Sequence, residues 1–142
     1  MLRTKDTGVL LKRKKMKNLL IILILLPTLV YGCASDEKIT GYKDITSEEL
    51  NNLMNEQDIF LVDVHIPEQK HIKGTDAFIP YNEIEQNTGR LPKDKNAKIA
   101  LYCRSGSMSK TAAETLAKLG YKNVYNHLGG TIDWANKGFG FE

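Results

Sequence analysis

Between Ile59 and Asn126 the chain keeps returning to one pattern, a short and almost wholly apolar run followed by a longer polar or amphipathic stretch. The runs are Ile59–Val62, closed by Asp63; Ala77–Ile79, stopped by Pro80; Lys98–Tyr102; and Asn123–Asn126. Strands without an alternating polar face are buried on both sides. Strands joined through helices run parallel, because a crossover is needed to bring the chain back. The pattern therefore predicts a three-layer α/β fold, with a mostly parallel central sheet and helices on both faces.

The helical segments carry their own punctuation. In ITSEELNNLMNEQD, Thr46 stands as N-cap with Glu49 three residues later, a capping box, and Leu50, Leu53 and Met54 share one face. YNEIEQNTGR predicts a helix ended by Gly89. KTAAETLAKLG predicts one with Ala112, Ala113, Leu116, Ala117 and Leu119 inward and Gly120 at its C-terminal end. Gly129-Gly130 reads as a turn, and Thr131 to Lys137 as a last short helix holding the sole Trp. No internal repeat is present.

A chain of 142 residues, 42% hydrophobic and 26% charged with two cysteines, fits one globular domain and excludes collagen-like, disordered and disulfide-scaffold classes. Its net charge of +3 is unevenly spread. Residues 1–32 hold seven of the 20 basic and one of the 17 acidic residues, which leaves 13 against 16 in the remainder. The body is mildly acidic, and no nucleic-acid partner is expected.

The basic end has a different use. KRKKMKNLLIILILLPTLVYGC is a cationic stretch, an apolar run too short to span a membrane comfortably, and a small residue before Cys33. It resembles a bacterial lipoprotein signal, which implies cleavage before Cys33 and acylation of its sulfur. The alternative is an uncleaved apolar anchor. We expect residues 1–32 to be a signal peptide, with Met16 offering a second start. Residues 33–44 are expected to be lipidation site and tether, and 45–142 the folded domain, held at the cell envelope and facing the periplasm or exterior. An acylated Cys33 cannot form a disulfide, so Cys103 is the free thiol of an exported domain.

Cys103 stands where an apolar strand gives way to Arg104-Ser105-Gly106-Ser107-Met108-Ser109 and then to a helix. In open α/β sheets ligands bind at the carboxyl ends of strands. Small residues let successive N–H groups converge, and the helix N-terminus adds positive potential. Such a cradle, with Arg104 beside it, favours a thiolate and would hold a persulfide or a sulfur oxyanion. The bland reading makes Cys103 a small buried hydrophobe.

CRSGSMS followed by a helix resembles the active-site loop of rhodanese-like domains, the thiosulfate or persulfide sulfurtransferases. LVDVHIPEQKHIKGTDAFIPYNEI resembles the family's D-V-R-x-P-x-E, G-H-I-x-G-A and I-P segments, and VYNHLGGTIDWANKGF its closing V-x-x-L-x-G-G-x-x-x-W segment. The resemblance covers about residues 44–142. It implies Cys103 as the nucleophile that becomes a persulfide, with residues 104–109 as the substrate loop. It also implies Asp63 as a hydrogen-bonding organiser, His71, Gly74 and Pro80 shaping the adjoining loop, and Gly129, Gly130 and Trp134 packing beside the site. His65 stands where the family often has Arg, and the stretch from Asp63 to His71 is a few residues short. Ser107, Met108 and Ser109 are neutral where many thiosulfate-using members carry a second cation, and a neutral loop suits a persulfide donor.

Other classes fare worse. A Cys-based phosphatase needs Cys-x5-Arg, and six residues after Cys103 stands Ser109. An arsenate reductase needs further redox cysteines. His65, His71 and His127 with Cys103 match no common zinc spacing, so no metal and no cofactor is expected. The expected activity moves a sulfane sulfur from thiosulfate or a persulfide to a thiol, small or on a protein, or to cyanide. The chain is expected to act as a monomer. The alternative is a sulfur- or redox-sensing module without catalysis.

Overall fold

The structure, a computed structural model, describes residues 41–142. The signal segment, Cys33 and most of the tether lie outside these described residues.

A five-stranded sheet forms the centre, in the order β1-β5-β4-β2-β3 with every pair parallel. Its strands are β1 (Lys43–Ile45), β2 (Phe60–Asp63), β3 (Ala77–Phe78), β4 (Lys98–Tyr102) and β5 (Asn123–His127). Among the described residues three α-helices cover it: α1 (Ser47–Glu56), α2 (Ser107–Lys118) and α3 (Gly130–Asn136). The α/β layering follows from the strand pattern. Successive residues of β4, and Cys103 just after it, feed opposite layers: Ile99, Leu101 and Cys103 pack with Ala112, Ala113 and Leu116 of α2. Ala100 and Tyr102 pack with Leu50 of α1 and Trp134 of α3. Each of the large side chains sealed in these layers contributes about 1.5–3 kcal/mol relative to exposure.

The capping box of α1 is present. Glu49 N–H donates to Thr46 Oγ1 at 3.2 Å, and Thr46 N–H donates to Glu49 Oε2 at 2.9 Å.

Beyond one-residue shifts at the ends of β2, β3 and β5, four boundaries differ from the sequence reading. Lys43 and Asp44, assigned to the tether, belong to β1. There Lys43, Asp44 and Ile45 pair with Tyr125, Asn126 and His127, and Asn126 Nδ2 donates to Asp44 Oδ1 at 2.7 Å. Only Ile45 of the three is buried, so this edge strand carries little apolar signal. YNEIEQNTGR forms no α-helix. It makes turns and a single 3₁₀ turn, Thr88–Arg90, because one buried residue, Ile84, gives it no apolar stripe, and Asn87, Thr88 and Gly89 are weak helix formers. Helix α2 starts at Ser107 rather than Lys110, with Gly106 as its N-cap. Helix α3 starts at Gly130, one residue before the expected Thr131, while Gly130 keeps the positive φ of 58° that suits the expected turn.

Candidate active site at the carboxyl end of β4

Cys103 follows directly on β4. Its side chain leaves the sheet toward α2 and is 1% exposed. Gly106 N–H donates to Cys103 Sγ at 3.2 Å, and Ser109 Oγ lies 3.5 Å from the same sulfur while donating to Gly106 O at 3.1 Å. Gly106, at φ 91°, is the N-cap of α2 and supplies no capping side chain, so the first-turn N–H groups are not claimed by one. The sulfur thus accepts from one backbone N–H at the N-terminus of α2, whose positive end suits an anion.

The six residues after Cys103 divide. Arg104, Ser105 and Gly106 form the loop; Ser107, Met108 and Ser109 form the first turn of α2, a correction to the six-residue loop expected from the sequence. Arg104, Ser105 and Ser107 are exposed, Met108 is half-buried against the α2 core, and Gly106 and Ser109 are buried. The backbone and Ser109 therefore line the floor, while Arg104, Ser105 and Ser107 face solvent.

A second segment locks the loop from behind. Thr131 N–H donates to Cys103 O at 2.9 Å and Ile132 N–H to Arg104 O at 3.2 Å. At Gly130 an added Cβ would lie 2.3 Å from the Arg104 carbonyl carbon, so the start of α3 touches the loop backbone directly. Leu128 and Ile132, both about half exposed, are the large exposed apolar side chains among the described residues, and both belong to this segment.

Asp63 lies at the end of β2, in register with Tyr102 of β4, and its neighbours Val62 and Val64 pack on the α2 side. Its carboxylate therefore leaves the sheet by the face opposite Cys103. Oδ1 accepts from His65 N–H at 2.9 Å and Gln69 Nε2 at 3.3 Å, and Oδ2 lies 3.0 Å from His71 Nδ1. Asp63 ties down the 65–71 loop and is placed as an organiser rather than a base for the thiol. His65 adds Nδ1–H to Pro67 O at 2.7 Å. His71 completes a chain through Nε2 to Glu68 Oε1 at 3.0 Å.

Burial holds the Asp63 carboxyl above its usual range, against the downward pull of its hydrogen bonds. For His71 burial pulls down, but the bonds and charges of Glu68 and Asp63 together outweigh it and the net direction is up. A histidine raised on folding contributes stability that is fully present below about pH 6.5 and lost as pH rises through its folded value. The stability gap between wild type and His71→Gln is therefore expected to narrow from about pH 6 to about pH 8, read by urea unfolding. His127, whose effect runs the other way, is common to both proteins and cancels. A gap constant across that window would show that folding does not raise His71 above its unfolded value.

His127 is not grouped with the other histidines. It is fully buried on the α1/α3 face: Nε2 lies 2.8 Å from Ser47 Oγ, and Ser47 Oγ donates to Asp133 Oδ2 at 2.5 Å. Burial pushes it down to about 4, with Asp133 pulling weakly the other way. Among the described residues no group of three or more His, Cys, Asp or Glu is arranged to hold a metal ion. Sequence reasoning missed Ser47, Asp133 and Gln69. Gln69 links the two loops by donating to Asp63 and accepting from Thr131 Oγ1 at 3.2 Å.

A parallel sheet with helices on both faces, and a buried cysteine opening a tight loop into a helix N-terminus, define the class: the chain belongs to the rhodanese-like domain family, whose profile matches residues 46–137. Among its relatives, a sulfurtransferase of Allochromatium vinosum is 37% identical over 98 residues, which is 67% of this chain and 90% of that protein. The thiosulfate sulfurtransferase PspE of Escherichia coli is 36% identical over 77 residues, 52% of this chain and 72% of that protein. Among solved structures, a rhodanese-like domain protein from Staphylococcus aureus superposes with a TM-score of 0.60 at 28% identity, covering 70% of this chain and 98% of that one. A rhodanese-related protein from Thermoplasma volcanium gives 0.61 at 26%, covering 71% and 98%.

Proposed function

We propose that this chain is a sulfurtransferase, tethered at the cell envelope through Cys33, that carries a sulfane sulfur on Cys103. The observation that carries the reading is the Cys103 sulfur seated against the Gly106 N–H at 3.2 Å, at the N-terminus of α2. The Cys103 thiolate attacks the outer sulfur of the donor. A new S–S bond forms on Cys103, the donor's own bond to that sulfur breaks, and its electron pair leaves as sulfite from thiosulfate or as a thiolate from a persulfide. An acceptor thiolate or cyanide then takes the outer sulfur and returns the Cys103 thiolate. This is two-step covalent transfer without redox change at any other group.

The Cys103 sulfur carries one added sulfur between the half-reactions, and the Gly106 N–H and the N-terminus of α2 beside it suit a terminal persulfide anion. Arg104, at the exposed edge, is suited to meeting an anionic donor. The first turn of α2 adds no second cation, so a singly charged persulfide suits the loop better than dianionic thiosulfate. Relatives named as sulfurtransferases support the reaction class. The basic and apolar stretch ending at Cys33 supports the envelope placement.

The test is intact-mass analysis of the full chain purified from cells, before and after incubation with thiosulfate or with glutathione persulfide. The expected result is a gain of one sulfur atom that maps to the peptide holding Cys103 and is lost on adding a thiol acceptor, with faster loading from the persulfide. The same spectrum reports whether the chain begins at an acylated Cys33. No gain with either donor would overturn the enzymatic reading and leave a sulfur- or redox-sensing module.

A further inference from the structure

The neutral, fully buried His127 has no part in the chemistry above, yet it is built into a directional chain. A carboxylate can only accept, so the Ser47 hydroxyl gives its one proton to Asp133 Oδ2, and the Ser47 oxygen then accepts from His127 Nε2–H. The Nδ1 lone pair is left buried without a hydrogen-bond partner. An apolar trio would fill this space without orphaning a polar atom, whereas a polar chain fixes the mutual orientation of the elements that carry it.

Those elements are the ones that build the cradle. Ser47 opens α1, His127 ends β5, and Asp133 lies in the first turn of α3. The residue after His127 is Leu128, whose carbonyl is in contact with Gly106, the donor to Cys103 Sγ. The two residues before Asp133 are Thr131 and Ile132, whose N–H groups hold the carbonyls of Cys103 and Arg104. Three contacts on the loop thus hang on segments pinned by one hydrogen-bond chain.

We propose that Ser47, His127 and Asp133 are positioning residues: their buried chain clamps α1, β5 and α3 together so that the Gly106 N–H stays aimed at the Cys103 sulfur. The inference deepens the sulfurtransferase reading, but its test reads the thiol itself and needs no sulfur donor.

The test is the rate of iodoacetamide alkylation at Cys103 against pH on the full chain, followed by mass mapping of the Cys103 peptide so that Cys33 does not interfere. With the chain broken in Ser47→Ala and Asp133→Ala, the alkylation profile is expected to move up by about half a pH unit. Alkylation at neutral pH slows about threefold. Asp133→Asn, which keeps an acceptor for the Ser47 hydroxyl, is expected to restore the wild-type profile. Leu50→Val, which loosens the same core layer without touching the chain, is expected to lower thermal stability and leave the profile in place. A wild-type profile in Asp133→Ala, or an equal shift in Leu50→Val, overturns the proposal. Asp133 is only half-buried, so its variant decides the matter even where Ser47→Ala does not fold.

Discussion

Cys103→Ser is expected to keep the fold and lose sulfur transfer altogether. The substitution exchanges one sulfur for one oxygen at a site 1% exposed, and the smaller atom creates no clash. Its hydroxyl can accept from Gly106 N–H and bond to Ser109 Oγ, the two groups that surround Sγ at 3.2 and 3.5 Å, so no buried polar atom is orphaned. A stability change within about 1 kcal/mol follows. The chemistry fails for a different reason: an alcohol is not ionised near neutral pH, and its oxygen cannot carry a transferable sulfane sulfur. Deleting a covalent nucleophile typically costs about 10⁴- to 10⁶-fold in turnover. The measurement is thiocyanate formation from thiosulfate and cyanide, paired with urea unfolding. Residual transfer within about tenfold of wild type would mean that sulfur is carried elsewhere.

The unequal division between side chain and backbone at this site explains why so much of it was legible in the sequence. The strand Lys98–Tyr102, the loop and the start of α2 are contiguous, so an apolar run, a sudden cluster of small residues and a helical stripe mark Cys103 without knowledge of any other part of the chain. The α1 capping box is legible for the same reason, its two partners being three residues apart. The parallel layering is legible because β2 and β4 are apolar on both faces.

What was not legible depends on partners far apart in the chain. The strand β1 exists because β5, about eighty residues later, offers it a hydrogen-bonding edge, and two of its three side chains are polar and exposed. Ser47 meets His127 across 80 positions and Asp133 across 86, and His127 and Asp133, though inside the closing segment, match none of its fixed residues. Gly106 was legible as a small residue but not as the N-cap, because the cap here is a backbone conformation rather than a side chain, and the start of α2 was misplaced by three residues. In 81–90 the expected helix gave way to turns, since Ile84 is the one buried residue of that segment and Tyr81 only packs on the edge of the core, which makes no apolar stripe.

That dependence on backbone shape makes Gly106→Ala the most damaging single-methyl change available to the loop. Gly106 stands at φ 91°, where an L-residue is strained by about 1–2 kcal/mol. An added Cβ would also fall 2.0 Å from Leu128 O, 2.7 Å from its carbonyl carbon and 3.1 Å from His127 O. Every one of these atoms is backbone, so relief requires moving the turn between β5 and α3 or the loop itself. Moving the loop withdraws the N–H from Cys103 Sγ; moving the turn drags Thr131 and Ile132 away from the carbonyls of Cys103 and Arg104. Strain and displacement together are expected to cost about 2–4 kcal/mol in urea unfolding. Sulfur transfer is expected to fall at least about 100-fold, the penalty of displacing a reacting group by about 1 Å. Gly120→Ala separates the two causes: φ is 88°, close to that of Gly106, but nothing lies within 4 Å of the added Cβ. It is expected to cost about 1 kcal/mol of stability and leave transfer unchanged. Equal activity losses in the two variants would place the damage in general destabilisation; loss confined to Gly106→Ala places it in the contact between the cradle and the Leu128 carbonyl.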